Sequence, residues 1–140
     1  MRLLIGSDSE QAAVIRAAGD IQASDPSMPL LVLLGAADSF SFRPRPSTIL
    51  VPGMPAGVIA AVPSLEEFGI ASRLASDAGL PGCYDGPVTD LAELWLASLD
   101  PSELAKIEIL FGAGEETARS VEDLGRRLRL AVRALPTGEK

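Results

Sequence analysis

The first residues able to do chemistry form the turn that follows the apolar run Leu3–Ile5. Gly6 leads there into the polar segment Ser7–Glu10, and a helical pattern of apolar residues comes next. Such a turn favours phosphate, because free backbone N–H groups and the positive end of a helix dipole converge at it. Gly6 and Ser7 are therefore candidate ligand contacts. The alternative is that the side chains of Ser7 and Glu10 cap the helix N-terminus, since they have capping-box spacing. The acidic side chains of this segment would then take the place that an anion would occupy at the helix N-terminus.

An arm in the middle of the chain carries two arginines. Helical and strand periodicity stop there, and Phe40, Phe42, Arg43 and Arg45 stand among prolines, which favours an extended segment. We expect the two phenylalanines to pack against the protein. The two arginines are then presented to an anionic ligand or to a carboxylate of a partner.

The glycine-rich loop Asp77–Gly86 carries further acidic residues. Asp77 and Asp85 would line a nucleotide crevice if this loop lies at the ends of parallel strands, where ligands of open α/β sheets bind. Glycine and aspartate are also what tight turns require, so both interpretations stay open. Cys83 has no basic neighbour in this loop, and we expect it to be inert.

Composition excludes several classes of site. The 140 residues include one cysteine and no histidine, so one chain cannot build a zinc site of thiolates or imidazoles, an iron–sulfur cluster or a Ser/His pair. The net charge of −7 argues against binding to nucleic acid or to anionic membranes. No signal peptide is recognisable and no apolar run approaches the ~18 residues of a membrane span, so we expect a cytoplasmic protein.

The elements that position these residues alternate along the chain. Helical periodicity separates short apolar runs, and this alternation predicts a single α/β domain. We expect a doubly wound, mostly parallel, Rossmann-like sheet of about five strands with helices on both faces. The domain is expected to cover residues 1–135, with a flexible tail over 136–140. The runs that predict buried strands are Leu3–Ile5, Leu30–Leu34, Ile70–Ala75 and Ile107–Phe111.

Some boundaries are less sharply defined by the pattern. Thr48–Val51 is expected to form a brief strand, and Val58–Val62 fits either a helix or a strand. Arg73, inside an apolar run, indicates an exposed end or an edge of the sheet. The last helix is expected to cover Glu115–Leu135, because its apolar stripe continues that far.

Three segments, Arg43–Ala60, Glu66–Ser76 and Gly82–Ala92, carry a family resemblance. The most recognisable piece is Gly86-Pro87-Val88-Thr89-Asp90-Leu91, a glycine turn that leads into a helix. In these segments the chain resembles the pyridine-nucleotide half of ferredoxin-reductase-like flavoproteins. The nearest likeness is to proteins related to the dihydroorotate dehydrogenase electron-transfer subunit.

The resemblance implies an NAD(P)-binding module. Asp38 would accept hydrogen bonds from both hydroxyls of the adenosine ribose and so favour NAD over NADP; the alternative is an ordinary loop residue. Gly112-Ala113-Gly114 stands where the family has Cys-Gly-Pro beside the nicotinamide, and the first turn lacks the family's second glycine. The implied nucleotide contacts are Gly6, Ser7, Gly35, Asp38, Gly112 and Gly114.

Two functions are compatible with these residues. The first is an oxidoreductase module that binds NAD(H) and works in electron transfer with a flavin-bearing partner chain. We expect no flavin or iron–sulfur cluster on this chain alone, since the family's flavin barrel and cluster cysteines have no counterpart in it. The alternative is a non-catalytic remnant that acts as an interaction or assembly subunit of a complex or homo-oligomer. Its partner contacts would be Phe40, Phe42, Arg43 and Arg45.

Overall fold

A computed structural model of the chain describes residues 1–135. The tail predicted for 136–140 lies outside these residues. The described part contains eight strands, five α-helices and a single 3-10 turn at Asp8–Glu10. The strands are β1 (Arg2–Ser7), β2 (Leu30–Ala36), β3 (Arg45–Pro46), β4 (Ala60–Ala61), β5 (Ala71–Ser76), β6 (Tyr84–Asp85), β7 (Glu108–Gly112) and β8 (Ala131–Ala134). The helices are α1 (Gln11–Ser24), α2 (Pro63–Glu66), α3 (Val88–Ala97), α4 (Pro101–Leu104) and α5 (Glu115–Leu128).

Six strands form one parallel sheet in the order β6-β5-β2-β1-β7-β8. The chain builds outward from β1 in one direction as far as β6 and then crosses back to add β7 and β8. The prediction of a doubly wound, Rossmann-like parallel sheet is therefore confirmed, with six strands in place of about five. The two strands β3 and β4 form a separate antiparallel pair.

The helices cover both faces of the sheet. α1 packs on β1, β2 and β7 and also touches α2, whereas α3 and α5 touch each other and pack on the opposite face. Successive side chains of β1 point to opposite faces of the sheet. Leu4 therefore packs in the core under α1, while Leu3 and Ile5 pack in the core under α3 and α5. Runs such as Leu30–Leu34 are continuously apolar for this reason, because both of their faces are buried.

The predicted end of the last helix is wrong. α5 ends at Leu128, Arg129 adopts a left-handed conformation with φ of 60°, and the chain returns as β8 beside β7. A Cβ at Gly125 would lie 2.1 Å from Cγ2 of Val132, so the missing side chain lets β8 pack against the helix. Within β8, Val132 packs against the core under α3 and α5, whereas Ala131 of the predicted stripe is exposed and Leu135 packs against the core under α1.

The structure decides three predictions in the middle of the chain. Thr48–Val51 is a loop and not a strand, and of the ambiguous stretch Val58–Val62 only Ala60–Ala61 is extended into β4. Arg73 is buried, with 6% of its surface exposed, although β6 covers only the last two residues of β5. β5 is therefore an edge of the sheet at Arg73, as one of the two predicted alternatives has it, but the side chain is not exposed: its guanidinium donates to the Ile49 carbonyl of the covering loop at 2.6 Å.

Candidate functional site

A cleft of about 410 Å³ opens at the carboxyl end of the sheet. It lies where β1, β2 and β5 end and where the first turns of α3 and α5 begin, on the sheet face that these two helices cover. This volume is within the range of small-molecule sites, and the location is where ligands of open α/β sheets bind. The lining residues are Ser7, Asp8, Gly35, Ala36, Ala37, Asp77, Gly86, Pro87, Val88, Thr89, Asp90, Glu116, Thr117 and Ser120.

Ser7 is the most unusual residue of the cleft. Only 4% of its surface is exposed, and its Oγ has no hydrogen-bond partner among residues 1–135. The capping box predicted for Ser7 and Glu10 is wrong, because within this part of the chain neither the 3-10 turn nor α1 is capped by a side chain. A buried hydroxyl without a partner costs free energy, which a ligand atom in the cleft would recover.

Both helices beside the cleft begin without side-chain caps. Pro87 is the N-cap of α3 and Gly114 the N-cap of α5, and neither helix start receives a side-chain hydrogen bond from the described residues. The first N–H groups of an α-helix have no partner within the helix, so those of Val88 and Thr89 are available at the wall of the cleft. Two helix dipoles therefore direct their positive ends toward the same space.

Four carboxylates line the same cleft: Asp8, Asp77, Asp90 and Glu116. Asp8 adopts φ of 49°, a left-handed conformation that aspartate tolerates better than most residues. Its Oδ1 accepts a hydrogen bond from the backbone N–H of Ala37 at 3.2 Å, which ties the end of β1 to the loop after β2. A ligand phosphate placed at this turn would face the Asp8 carboxylate.

The strand-end glycines are explained by packing between helix and sheet. A Cβ at Gly6 would lie 2.7 Å from Cγ2 of Val14 in α1, and a Cβ at Gly35 would lie 2.8 Å from Cβ of Val88 in α3. Gly112 is paired with Gly6 across β1 and β7, and its Cβ would also meet Val14, at 3.0 Å. These glycines bring the helices close to the strands, and only Gly35 among them lines the cleft.

The structure separates the remaining nucleotide candidates from the cleft. Asp38 is exposed and lies in a neighbouring depression of about 370 Å³, which shares Asp8 and Ala37 with the cleft. Gly114 precedes α5, whose first turn carries Glu116 into the cleft wall. Of the six predicted nucleotide contacts, Ser7 and Gly35 alone are lining residues.

The arm Phe40–Pro46 is arranged as its composition predicts. The rings of Phe40 and Phe42 lie with centroids 5.2 Å apart and pack against the core under α1. Arg43 and Arg45 are exposed. Arg45 also lines a small apolar groove between β3, β4 and the loop before β6, on a different part of the surface from the cleft.

A polar cluster that the sequence did not reveal holds the long β2–β5 connection in place. The Glu66 carboxylate accepts hydrogen bonds from the Ser47 hydroxyl and from the backbone N–H of Thr48, the latter at 3.0 Å. Partial burial alone would raise the pKa of Glu66, but these hydrogen bonds and the nearby positive charge of Arg73 hold it below its ordinary value. The guanidinium donates to the Ile49 carbonyl from the other side.

Cys83 carries the one thiol of the sequence. Burial raises the pKa of the half-buried Cys83 thiol, which fits the expectation that it is inert. No group of three metal-ligating side chains occurs within residues 1–135. None of the helices in this range is long and apolar enough to cross a membrane.

Sequence reasoning missed the contribution of α5 to the cleft. Thr117 and Ser120 line it, because a helix that directly follows a parallel strand starts at the carboxyl edge of the sheet. The predicted order of a strand ending at Phe111, a glycine turn over Gly112–Gly114 and a helix from Glu115 already indicated that this helix starts at the carboxyl edge of the sheet. The acidic loop after β5 was recognised as a crevice candidate, and Asp77 and Gly86 do line the cleft.

No family model matches this chain, and no curated protein or solved structure matches it either.

Proposed function

We propose that this chain is a nucleotide-binding module of an electron-transfer system, which holds NAD(H) in the cleft and works with a flavin carried by a separate chain. The observation that supports the proposal best is the cleft itself, at the carboxyl end of a doubly wound sheet between two uncapped helix starts. The resemblance of Gly82–Ala92 to a pyridine-nucleotide module points to the same region, since this segment forms one wall of the cleft.

The donors of the cleft fit a nucleotide that presents hydroxyl and amide groups. The unpartnered Oγ of Ser7 can donate to or accept from a ribose hydroxyl or a carboxamide. The N–H groups of Val88 and Thr89 can bind an oxygen of the ligand at the start of α3. Bound NAD(H) would supply hydride chemistry, while these residues bind and orient it.

Calorimetric titration with NADH and NAD⁺ tests the proposal. Heat of binding is expected with the natural chain, and Ser7→Ala is expected to weaken binding by roughly tenfold, the effect of one lost hydrogen bond to a ligand. Ser9→Ala is the matched control, because Ser9 is exposed and outside the cleft. The proposal would be contradicted if both dinucleotides, at millimolar concentration, gave neither heat of binding nor a shift of the unfolding temperature.

An assembly role is the second candidate, and exposed apolar side chains favour it. Leu50, Ile59 and Phe68 are exposed by 86%, 52% and 68%, and all three lie in the connection between β2 and β5. Large exposed apolar side chains occur at interaction sites. In this role these side chains would contact a second copy of the chain.

Sedimentation velocity over a range of protein concentrations tests the assembly role. The natural chain should self-associate, and the double variant Leu50→Ser/Phe68→Ser should remain monomeric. Leu94→Ser is a suitable control, because Leu94 is 47% exposed but belongs to α3. A monomer at every concentration of the natural chain would exclude self-association through these side chains.

A further inference from the structure

We infer that the cleft binds the positively charged nicotinamide riboside end of the dinucleotide, and that it therefore prefers NAD⁺ to NADH. This inference rests on the proposed function and specifies which end and which redox state of the ligand the site selects. Two observations support it: the Ser7 hydroxyl is buried without a hydrogen-bond partner among residues 1–135, and the wall of the cleft is negatively charged.

The charge balance of the wall is negative. Two helix N-termini together contribute about one positive elementary charge. Four carboxylates oppose it, and among the described lining residues no side chain is basic. The nearby Arg119 and Arg127 already form ion pairs, Arg119 with Glu115 at 2.6 Å and Arg127 with Glu93 at 3.0 Å. The cleft therefore favours a cation or a neutral hydrogen-bonding group over a phosphate.

Ser7 lies at the base of this wall and offers a polar contact to a ligand. Leu3 and Ile5 face α3 and α5, so strand alternation places the Ser7 side chain on the same face, where the cleft opens. Its hydroxyl is buried and has no partner among residues 1–135. A ribose hydroxyl or the carboxamide of nicotinamide would provide the missing hydrogen bond, whereas a carboxylate or phosphate of the ligand would add negative charge to an acidic site.

The redox state of nicotinamide decides whether a charged or a neutral ring lies against this wall. The oxidised ring is a cation and the reduced ring is neutral, so the carboxylates stabilise only the oxidised form directly. Partly exposed ion pairs are individually weak, and for this group we expect NAD⁺ to bind about fivefold tighter than NADH. For a two-electron couple that ratio lowers the potential of the bound nucleotide by about 20 mV, which makes bound NADH the stronger hydride donor.

The experiment compares dissociation constants of NAD⁺ and NADH by calorimetry at low ionic strength. The natural chain should show the roughly fivefold preference for NAD⁺, and Asp90→Asn/Glu116→Gln should reduce it to about twofold or less. The control Asp20→Asn/Glu67→Gln removes the same charge from exposed positions on α1 and after α2, across the sheet, and should leave the ratio unchanged. Thermal unfolding of each variant establishes that it is folded.

The small cation 1-methylnicotinamide provides a second readout, because it should displace NADH more effectively than neutral nicotinamide does. If NADH binds as tightly as NAD⁺, or if the Asp90/Glu116 variant keeps the full ratio, the inference is overturned while the proposed function stands. If neither dinucleotide binds, the proposed function itself fails, and the inference fails with it.

Discussion

Gly6 and Gly35 lie at the ends of two central strands, with a valine side chain packed over each of them. Val14 of α1 faces Gly6, and Val88 of α3 faces Gly35, at distances that leave no room for a methyl group. At this scale the glycines fix how closely each helix approaches the sheet. Gly35 thereby sets the position of α3, which forms one wall of the cleft, and Gly6 sets the position of α1 on the opposite face.

Substitution of either glycine by alanine tests this packing. Gly6→Ala and Gly35→Ala should each lower the free energy of unfolding by about 1–3 kcal/mol, because the new methyl group overpacks a filled core. Gly19→Ala should instead raise it, by up to about 1 kcal/mol, since a Cβ at Gly19 in α1 meets open space and alanine favours a helix. Denaturant unfolding measures all three, and equal effects at the three positions would contradict the packing account.

Ser7 differs from the glycines because its buried hydroxyl has no hydrogen-bond partner among residues 1–135, and we expect this to cost the ligand-free protein stability. Removing the unpartnered hydroxyl should raise the free energy of unfolding of Ser7→Ala by about 1 kcal/mol, since a buried unsatisfied group is lost. The same variant should bind dinucleotide more weakly. Thermal unfolding of the ligand-free protein provides the measurement, and a Ser7→Ala variant less stable than the natural chain would show that Ser7 serves the fold.

At the scale of elements, two charged side chains, Glu66 and Arg73, hold the β2–β5 connection in place. Glu66 accepts from Ser47 and Thr48, and Arg73 donates to the carbonyl of Ile49 in the same loop. This pair of residues from α2 and β5 holds residues 47–49 against the sheet. The loop then continues to Pro52, whose carbonyl accepts from Trp95 Nε1 of α3 at 3.0 Å.

The pH dependence of stability tests the Glu66 contact. Because the folded pKa of Glu66 is lowered, the contact contributes fully above the unfolded value and is lost as pH falls through the folded value. Glu66→Gln should therefore be less stable than the natural chain by about 1 kcal/mol at neutral pH, and this gap should close at acidic pH, below the lowered folded pKa of Glu66.

Denaturant unfolding at both pH values measures the gap for Glu66→Gln. Glu67→Gln serves as the control, because the Glu67 side chain is exposed. A gap of the same size at low pH would show that charge at Glu66 contributes nothing.

The sequence predicted the elements with continuous apolar runs better than those fixed by long-range contacts. Leu30–Leu34 is recognisable because both of its faces are buried, and it lies inside β2. The loop at 48–51 and the buried Arg73 depend on partners far along the chain, which local pattern does not encode. The prediction of helix as far as Leu135 is wrong because Ala131 and Leu135 keep helical spacing, although Ala131 is exposed and Leu135 packs against the core under α1.

For the molecule as a whole, the doubly wound topology brings the separate pieces of the site together. β1, β2 and β5 end at one edge, and the crossover to β7 places α3 and α5 side by side on one face. Ser7 and Gly35 could be named from sequence because each ends a recognisable strand. The acidic wall of the cleft includes residues at helix starts from distant parts of the chain. Its net charge could not be predicted from the sequence, because only the fold brings these residues together.

The central claim is that a nicotinamide dinucleotide binds in the cleft between α3 and α5. Mapping of backbone amide shifts in the ¹⁵N-labelled chain during titration with NAD⁺ tests this claim most directly. The account predicts saturable shifts at Ser7, Ala37, Val88, Thr89 and Thr117, with the amides of Arg43 and Arg45 unchanged. No shifts at millimolar NAD⁺, or shifts confined to residues outside the cleft, would contradict it.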